Sequence, residues 1–495
     1  MSDSVTFNEI PSGLNIPGSV AEIQTIRTPG TLTGMPVRNL VVGQMGSGSG
    51  VALVRYPILS AAQAAALFGV GSALALAVAA HLAARPFIQL DAMAVAPAAG
   101  ATVASTTVTC AGAATQSGSV AIEVAGVRIP LVITPTMMPA DMATALAAAF
   151  TPAVQAATGC TAAAVAAVVT ITASEVGAHT NDIDVRVSLL ASDQVPGVTL
   201  TVPDGGMAGG AGSPDLTPAF NAVSNIWYTD VATCLNDQPN LAVIAIEGAR
   251  RYNAMVKRDA QFYFGFRGTY GQALALSANL NSPYLCGLPA SAPRWSPWVA
   301  AAVLCAVSAD STSADPARQL RTLLLTGLDG LGPDDGDLYE DPQRNVLLGQ
   351  GWSTFLVQQG GAVEIERVVT TLQVDPVSNV ALTTPQDIRI PKVGSRVRYE
   401  WNSYANAVWA RAKLADDGSP LANSAGVVTP KVLLNSWVAQ CKLYEAQGWI
   451  ENVATLGPQA VFIRNTSDRN RVDSQLPIQV IGALNVLGNV IQLEG

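Results

Sequence analysis

The 495-residue chain is poor in charge: Asp, Glu, Lys and Arg make up only 13% of it, whereas hydrophobic residues make up 49%. Because ordinary soluble domains carry roughly 25% charged residues, this composition suits a protein that buries much of its surface against copies of itself. The net charge is −9 and no run of Lys and Arg occurs, so the composition excludes a typical nucleic-acid-binding protein. At roughly 100–200 residues per domain, the length predicts two to four domains.

The first segment, residues 1–18, predicts an extended arm, because Pro and Gly recur too often for it to form a domain. It has neither a basic n-region nor an apolar h-region, so no secretory signal is expected. The apolar residues of this arm that fit a strand are Val5, Phe7, Ile10 and Ile16. A strand is then predicted at Val37–Gly43, followed by a Gly/Ser loop at residues 43–50.

An uncharged stretch between Arg55 and Arg85 is long enough to span a bilayer. It consists mostly of Ala, which inserts poorly into membranes, and the Gly-Val-Gly sequence at residues 69–71 interrupts it. We therefore expect two buried helices of ordinary globular length and no membrane insertion.

Residues 97–212 differ in composition from the rest, since they contain no Lys and a single aromatic residue, Phe150. Short runs rich in Val, Ile and Thr predict strands, residues 123–128 predict a hairpin, and Met142–Ala157 predicts one helix. The predicted strands are Val103–Cys110, Ser119–Val124, Val127–Ile133, Val168–Ala173, Ile183–Leu190 and Val198–Val202. A Gly-rich tract at residues 203–213 ends the segment, which we interpret as an inserted β-rich domain.

After the insertion, strands and helices alternate in the predicted pattern. Trp227–Val231, Leu241–Ile246 and Gln261–Arg267 predict apolar strands, and Glu247–Lys257 predicts the start of a helix. This alternation is typical of an α/β layer structure. An acidic loop at residues 329–341 separates this region from the last one.

The last region, residues 342–495, opens with a predicted hairpin in which Ser353–Val357 and Ala362–Thr370 flank a Gln-Gln-Gly-Gly turn. Lys431–Glu445 predicts a helix whose apolar residues lie nearly on one face. The final predicted strands are Pro477–Val486 and Asn489–Leu493.

The sequence matches none of the catalytic or ligand-binding motifs considered below. The loop at residues 43–50 lacks the Lys-Ser/Thr pair of a Walker motif, so we interpret it as a flexible surface loop. Neither His81 nor His179 lies near a nucleophile elbow. The six cysteines fit no zinc spacing and predict buried free thiols. We expect no catalytic residue, no cofactor and no metal site.

Two acidic groups invite a catalytic interpretation. The acidic turn at residues 334–337 matches no calcium-binding loop and predicts a solvated turn. Glu364 and Glu366 alternate on one strand, as paired catalytic carboxylates can. The adjacent Arg367 and other nearby basic residues favour instead an outward strand face with ion pairs.

A family resemblance comes from the segment that starts the last region. Arg344–Thr354 and Gly361–Thr371 resemble the R-N-x-L-L-x-x-G stretch, hairpin and I-x-R-x-x-T-T strand of the phage tail sheath family. Leu67–Ser72 is similar to the family's F-G-x-G-S motif, and Gly212–Leu216 to its return from an insertion. The order of segments resembles the Mu-type branch over most of the chain, and residues 97–212 match least.

The resemblance implies a multidomain α+β or α/β fold. It consists of an α/β sheath core, an inserted β-rich outer domain, and an inner, tube-proximal domain built from both chain ends with extended strand arms. The implied boundaries are residues 1–18 for the N-terminal arm, 19–96 with 213–340 for the middle domain, 97–212 for the outer domain, and 341–495 for the inner domain.

The resemblance also implies that the terminal arms add strands to sheets of neighbouring subunits, where each arm gains a ladder of hydrogen bonds. The residues assigned to these arms are Val5, Phe7, Ile10, Ile16, Ile478, Val480, Val490, Ile491 and Leu493. The helix predicted at residues 431–445 is the candidate tube-facing helix, and a plain amphipathic core helix is the alternative. The possible tube contacts are Lys431, Lys442 and Glu445.

The implied function is that of a structural, non-enzymatic subunit of a contractile phage tail sheath, polymerising as stacked hexameric rings around the tail tube. Contraction from a metastable extended state would drive the tube through the host envelope without a nucleotide. The expected partners are copies of the chain, the tail tube protein, and the baseplate and tail terminator proteins. The expected location is the virion tail, after assembly in the host cytoplasm. Two alternatives remain: another self-assembling shell or surface-array protein, and an α/β enzyme that binds a nucleotide on residues 43–50.

Overall fold

The computed structural model describes residues 32–493, which form two compact units. The larger unit contains residues 35–398, 448–451 and 480–493, and the smaller unit contains residues 32–34, 399–447 and 452–479. The predicted division into an arm and middle, outer and inner domains stays a prediction.

Helices and strands alternate through most of the chain. The first are β1 (Arg38–Gln44), β2 (Arg55–Ile58), α1 (Ala61–Phe68), α2 (Ala73–Ala84) and β3 (Gln89–Val95). The next are β4 (Val103–Gly112), β5 (Gly118–Val124), β6 (Val127–Ile133), α3 (Pro139–Ala148), α4 (Pro152–Thr158), β7 (Cys160–Val165), β8 (Val168–Val176), β9 (Val185–Val187) and β10 (Val198–Thr201). Then follow α5 (Thr217–Ala222), β11 (Asp230–Thr233), α6 (Gln238–Tyr252), β12 (Gln261–Arg267), α7 (Tyr270–Ser277), β13 (Leu285–Ala290), α8 (Pro297–Ala314) and α9 (Asp341–Gly349). The last are β14 (Thr354–Val357), β15 (Val363–Arg367), α10 (Arg389–Trp409), β16 (Lys413–Leu414), β17 (Val427–Val428), α11 (Pro430–Ala446), β18 (Ile450–Glu451), α12 (Val453–Leu456), β19 (Val461–Arg464), β20 (Val472–Gln475) and β21 (Gln479–Val480).

A six-stranded sheet with the order β13-β12-β11-β1-β3-β2 forms the centre of the larger unit. All neighbouring strands are parallel except β2, a four-residue edge strand that contains Pro57 and runs antiparallel to β3. Apolar side chains cover both faces of the sheet, with α1, α2 and α8 on one face and α5 and α6 on the other. The sheet is therefore the middle layer of an α/β arrangement, as the alternating pattern predicts.

The Ala-rich stretch forms two helices, α1 and α2, as predicted. Gly69 and Gly71 separate them with φ angles of +104° and +74°, which an L side chain rarely adopts. The Ser72 hydroxyl then caps α2 by accepting a hydrogen bond from the Ala75 amide. Helix α2 packs on α8, which is buried along most of its length, and α2 and α8 are therefore apolar nearly all round. Within residues 32–493, no helix is long and apolar enough to cross a membrane.

The segment between β3 and α5 folds into two antiparallel sheets, β10-β4-β8-β7 and β6-β5-β9, with α3 and α4. The predicted hairpin is confirmed as β5 and β6, whose strands pair from Gly118 with Ile133 to Val124 with Val127. The single helix predicted at Met142–Ala157 is wrong, because Thr151 caps a second helix that begins at Pro152. Strand β7 is absent from the sequence-based prediction, since three of its six residues are Ala, which is depleted in strands.

Three further strand predictions differ from the structure. Leu241–Ile246, predicted as a strand, lies inside α6, where Asp237 caps the helix and Pro239 stands in its first turn. The apolar run alone resembles a buried strand, but the cap determines the outcome. At the end of the chain, the predicted strands Pro477–Val486 and Asn489–Leu493 reduce to β21, and residues 481–493 have no regular structure.

In the smaller unit, α11 confirms the helix predicted at Lys431–Glu445. Thr429 caps it, and its apolar face packs against β19 of the β19–β20 hairpin. The buried ring of Trp437 lies 5.1 Å from Trp401 and 6.4 Å from Tyr444, measured between ring centroids. This aromatic cluster forms the core of a unit that has few other large apolar residues to bury.

Candidate functional site

The Gly/Ser loop at residues 43–50 packs against the end of α1 and leaves Ser47 and Ser49 exposed at the surface. The amides of Gly46 and Gly50 donate to the carbonyls of Phe68 and Leu67 at 3.0 and 2.7 Å. A β-carbon on Gly48 would stand 2.1 Å from the Leu67 carbonyl oxygen. The glycines therefore allow a close approach that satisfies helix-end carbonyls, and these two amides do not face outward to cradle a phosphate.

The crevice at the carboxyl ends of β1 and β11 is the place where parallel α/β sheets bind ligands, because the strand order reverses there. In this chain a short turn from the inserted segment, residues 175–182, occupies it. The Glu175 carboxylate accepts a hydrogen bond from the Ala73 amide at the start of α2, at 2.8 Å. The Gln44 side chain, at the end of β1, donates to the Val176 carbonyl at 2.5 Å.

The two histidines both have structural partners. His81 is fully buried, with Nε2 2.9 Å from the Asn39 side-chain nitrogen, and burial lowers the pKa of His81 to about 4. His179 Nε2 lies 3.0 Å from the Glu175 carboxylate, and its ring packs edge-on against Trp298. Neither contact resembles a base beside a nucleophile.

Burial also raises the pKa of Asp182 to about 6, although Asn236 and Arg267 oppose this rise.

A cluster of ion pairs lines a cleft of about 1120 Å³ beside this turn. Arg186 pairs with Asp184 at 2.7 Å, and Asp184 pairs with Arg267 of β12, also at 2.7 Å. Arg294 pairs with Glu123 of β5 at 2.8 Å and with Asp334 at 2.6 Å. The pairs of Asp184 with Arg267 and of Glu123 with Arg294 join the inserted segment to the α/β layer. Sequence reasoning missed these two pairs because their partners are 83 and 171 positions apart in the chain.

Two of the acidic residues considered from the sequence, Asp334 and Glu366, form ion pairs. The turn at residues 334–337 is exposed, as predicted, but Asp334 also binds Arg186 and Arg294. Glu366 accepts a hydrogen bond from Arg344 at 2.8 Å, and Glu364 contacts Gln358. The predicted partner Arg367 instead pairs with Asp387 at 3.4 Å. Within residues 32–493, no group of three or more His, Cys, Asp or Glu side chains could hold a metal ion.

The segment that carries the family resemblance holds the hairpin against the α/β layer. Arg344 donates to Glu366 and also to the Tyr339 carbonyl, at 2.7 Å. Trp352 is fully buried, and its indole nitrogen donates to the Ala273 carbonyl at 3.0 Å. Thr371 exchanges hydrogen bonds with Ser282 next to β13. The motif residues therefore serve packing and hydrogen bonding inside the larger unit.

The predicted arm residues fall into three groups. Val5, Phe7, Ile10 and Ile16 lie outside the described residues. Ile478 and Val480 are half-buried, and Ile481, the next residue, donates to the Trp449 carbonyl at 3.2 Å. Beyond it, residues 482–493 form an irregular tail, which we call the C-terminal tail. It exposes 70–93% of each of six large apolar side chains: Leu484, Val486, Leu487, Val490, Ile491 and Leu493.

The predicted tube contacts lie on the exposed face of α11. Lys431, Lys442 and Glu445 are all exposed, whereas Trp437 and Cys441 of the same helix are buried. Glu445 accepts a hydrogen bond from the Val453 amide at 3.1 Å, so part of its capacity is used within the smaller unit. The helix is amphipathic, and its role at a tube stays a prediction. All six cysteines lie in the described part of the chain and are buried and unpaired, as predicted.

Comparison with known proteins shows which family the chain is similar to. Residues 209–371 match the phage tail sheath protein central domain. The chain is 26% identical to the Mu-like prophage FluMu tail sheath protein of Haemophilus influenzae, over 99% of both proteins. Sheath tail proteins from Desulfitobacterium hafniense and Listeria innocua are 11% and 10% identical in sequence, with TM-scores of 0.49 and 0.48. These two comparisons cover 94% and 91% of this chain and 97% and 94% of the others. The central-domain match and the full-length sequence similarity both support the phage tail sheath family.

Proposed function

We propose that the chain is the structural, non-enzymatic subunit of a contractile tail sheath, which polymerises as stacked hexameric rings around a tail tube. Contraction of this sheath would drive the tube through the host envelope. The observation that carries the proposal is the C-terminal tail, which exposes six large apolar side chains beyond the last strand.

The physical argument concerns what such a tail gains from a neighbour. Its backbone amides and carbonyls have no ladder partner within the described chain beyond β21, apart from a local bond between Asn485 and Ala483. On the sheet edge of another copy, an extended segment gains main-chain hydrogen bonds and buries alternate apolar side chains. Each buried CH₂ group contributes about 0.8 kcal/mol, so the apolar side chains that face the neighbour supply a substantial part of a subunit contact. The family resemblance supports the same role for Val5, Phe7, Ile10 and Ile16 at the other end.

The remaining partners follow from this role. The tail tube protein would contact the inner domain, and we propose the exposed face of α11, with Lys431, Lys442 and Glu445, as the contact. Baseplate and tail terminator proteins would bind the two ends of the sheath, which would be assembled in the host cytoplasm as part of the virion tail. During contraction, the arm links would persist while the outer surfaces of the subunits repack. Contraction would proceed without an energy source because the extended sheath is metastable.

Electron microscopy of the purified chain tests the proposal. The full chain should form hollow helical tubes in negative stain, and a truncation that ends at Ile481 should stay folded but fail to form them. A matched control is Val165→Asp, which places a charge on a side chain of the inserted segment that is 77% exposed. This variant should still form tubes, because we propose that the insertion faces outward.

Two outcomes would contradict the proposal. Normal tubes from the truncated chain would show that the C-terminal tail is not a subunit link. Flat sheets or closed shells from the full chain would favour another self-assembling shell instead of a sheath.

A further inference from the structure

The crevice at the carboxyl ends of β1 and β11 has the chemistry of an anion site. The 12-residue helix α2 starts there, and the amides of its first turn carry a partial positive charge. The Ser72 side chain accepts a hydrogen bond from the Ala75 amide, and the Glu175 carboxylate accepts one from the Ala73 amide at 2.8 Å. The side chain of Glu175 is only 9% exposed, so the carboxylate is held where an anionic ligand group would bind.

A second observation separates this crevice from an ordinary packing contact. Three buried polar atoms around the turn lack a hydrogen-bond partner among the described residues: Glu175 Oε2, Gln44 Oε1 and His179 Nδ1. Gln44 is fully buried and His179 is 4% exposed. A packing interface normally satisfies or avoids such groups, whereas a ligand site is lined by a few convergent polar groups.

The turn that delivers Glu175 is itself held from several sides. Gln44 binds the Val176 carbonyl, and the Asn236 side chain after β11 lies 3.4 Å from the Asp182 carboxylate. A β-carbon on Gly177 would stand 2.8 Å from the His179 ring, so glycine is required for the turn to fit. Side chains at the ends of both β1 and β11 thus hold one short segment of the insertion by hydrogen bonds.

We propose that this crevice is a carboxylate-binding site of the α/β layer and that its ligand is the chain's own Glu175. The inserted segment is then held on the α/β layer through an internal ligand, in the position where open α/β sheets bind their ligands. It follows that a small free carboxylate, such as formate, can occupy the site when the Glu175 side chain is removed.

Chemical rescue of Glu175→Ala tests the proposal. In chloride buffer the variant should melt about 5 °C below the unchanged chain, because it loses a charge-assisted hydrogen bond at a buried helix start. Sodium formate at about 100 mM should recover at least half of this loss relative to sodium chloride at the same concentration. Glu175→Gln keeps an acceptor for the Ala73 amide, so its Tm should fall less and should not respond to formate.

The matched control is Asp141→Ala, which removes an exposed carboxylate from the first turn of α3 in the same inserted segment. Its Tm should change by less than about 2 °C and should be equal in formate and chloride. An equal Tm of Glu175→Ala in formate and chloride would overturn the proposal. If that variant is insoluble in chloride, refolding in formate replaces the melt, and failure to refold there is also a contradiction.

Discussion

The six-stranded sheet buries its apolar side chains and the C-terminal tail exposes them, although both belong to the larger unit. The sheet buries its apolar side chains on two faces, with Leu40, Val41 and Val42 of β1 all fully buried. The tail leaves Val490 and Ile491 88% and 84% exposed. The same residue types therefore stabilise one copy of the chain in the first region and are available to another copy in the second.

This contrast predicts that the two regions affect different measurements. Substitutions around the sheet should lower the free energy of unfolding of the subunit. Substitutions in the tail should leave that quantity unchanged and prevent polymerisation.

The largest loss of stability is expected for Trp352→Ala. The Trp352 ring is fully buried, with its centroid 5.4 Å from Phe264 and 5.6 Å from Phe266, and its indole nitrogen holds the Ala273 carbonyl. Removal of such a ring typically costs about 3–5 kcal/mol. Urea denaturation should show a lower midpoint with an unchanged slope. Phe87→Ala is the control, since Phe87 is 98% exposed and should change stability by less than about 0.5 kcal/mol. Similar losses for both variants would contradict the sheet side of the contrast.

An intermediate loss is expected when the pH is lowered. The pKa of His81 is about 4 in the folded protein and about 6.5 in the unfolded chain, so the unfolded chain binds more protons between these values. Stability from this residue is therefore present above pH 6.5 and is lost as the pH falls toward 4. The expected loss is about 2–3 kcal/mol between pH 7 and pH 4, at roughly 1.36 kcal/mol per pKa unit. Urea midpoints measured across this range provide the test.

His81→Gln isolates this contribution from other titrating groups. Asp182, whose pKa is raised to about 6, acts in the opposite direction, because its stabilising effect is greatest at low pH and declines as the pH rises from 3.8 to 6. The difference between the unchanged chain and His81→Gln should therefore shrink as the pH falls. A constant difference from pH 7 to pH 4 would exclude His81 as the source.

The smallest effect on stability is expected for the tail double substitution Val490→Asp and Ile491→Asp. Both side chains are almost fully exposed, so the free energy of unfolding should change by less than about 0.5 kcal/mol. Polymerisation should nevertheless fail, because a charge on each side of an added strand cannot be buried against a neighbour. Urea denaturation and sedimentation of the same preparation measure the two quantities together. Sedimenting tubes from this variant would show that the tail takes no part in assembly.

Local patterns in the sequence predict much of the fold. The hairpin of β14 and β15, the pair β5 and β6, and helix α11 all carry strong periodicity or turn residues next to them. Leu241–Ile246 is predicted incorrectly because its apolar run fits a strand and a helix equally, and the decision lies in the cap at Asp237.

The crevice could not be predicted in the same way. Glu175 meets Ala73 across 102 positions, and Arg294 meets Glu123 across 171 positions. No periodicity links residues so far apart, and a lone His four residues after a Glu has many structural explanations. The glycines of residues 43–50 give a related lesson, since their number indicates a close approach of the backbone without indicating what approaches.

Pro57 in strand β2 has a consequence for a protein that is made in many copies. An open sheet edge attracts any extended segment, including the wrong segment of a molecule that has not yet reached its place. Strand β2 offers such a segment only four residues, and Pro57 has no amide hydrogen to donate. At the opposite edge of the sheet, the backbone of Trp352 forms an isolated β-bridge with Gly287 of β13. The large sheet therefore offers little unpaired backbone to stray segments at either edge, and we expect this to limit association of newly made subunits through the sheet.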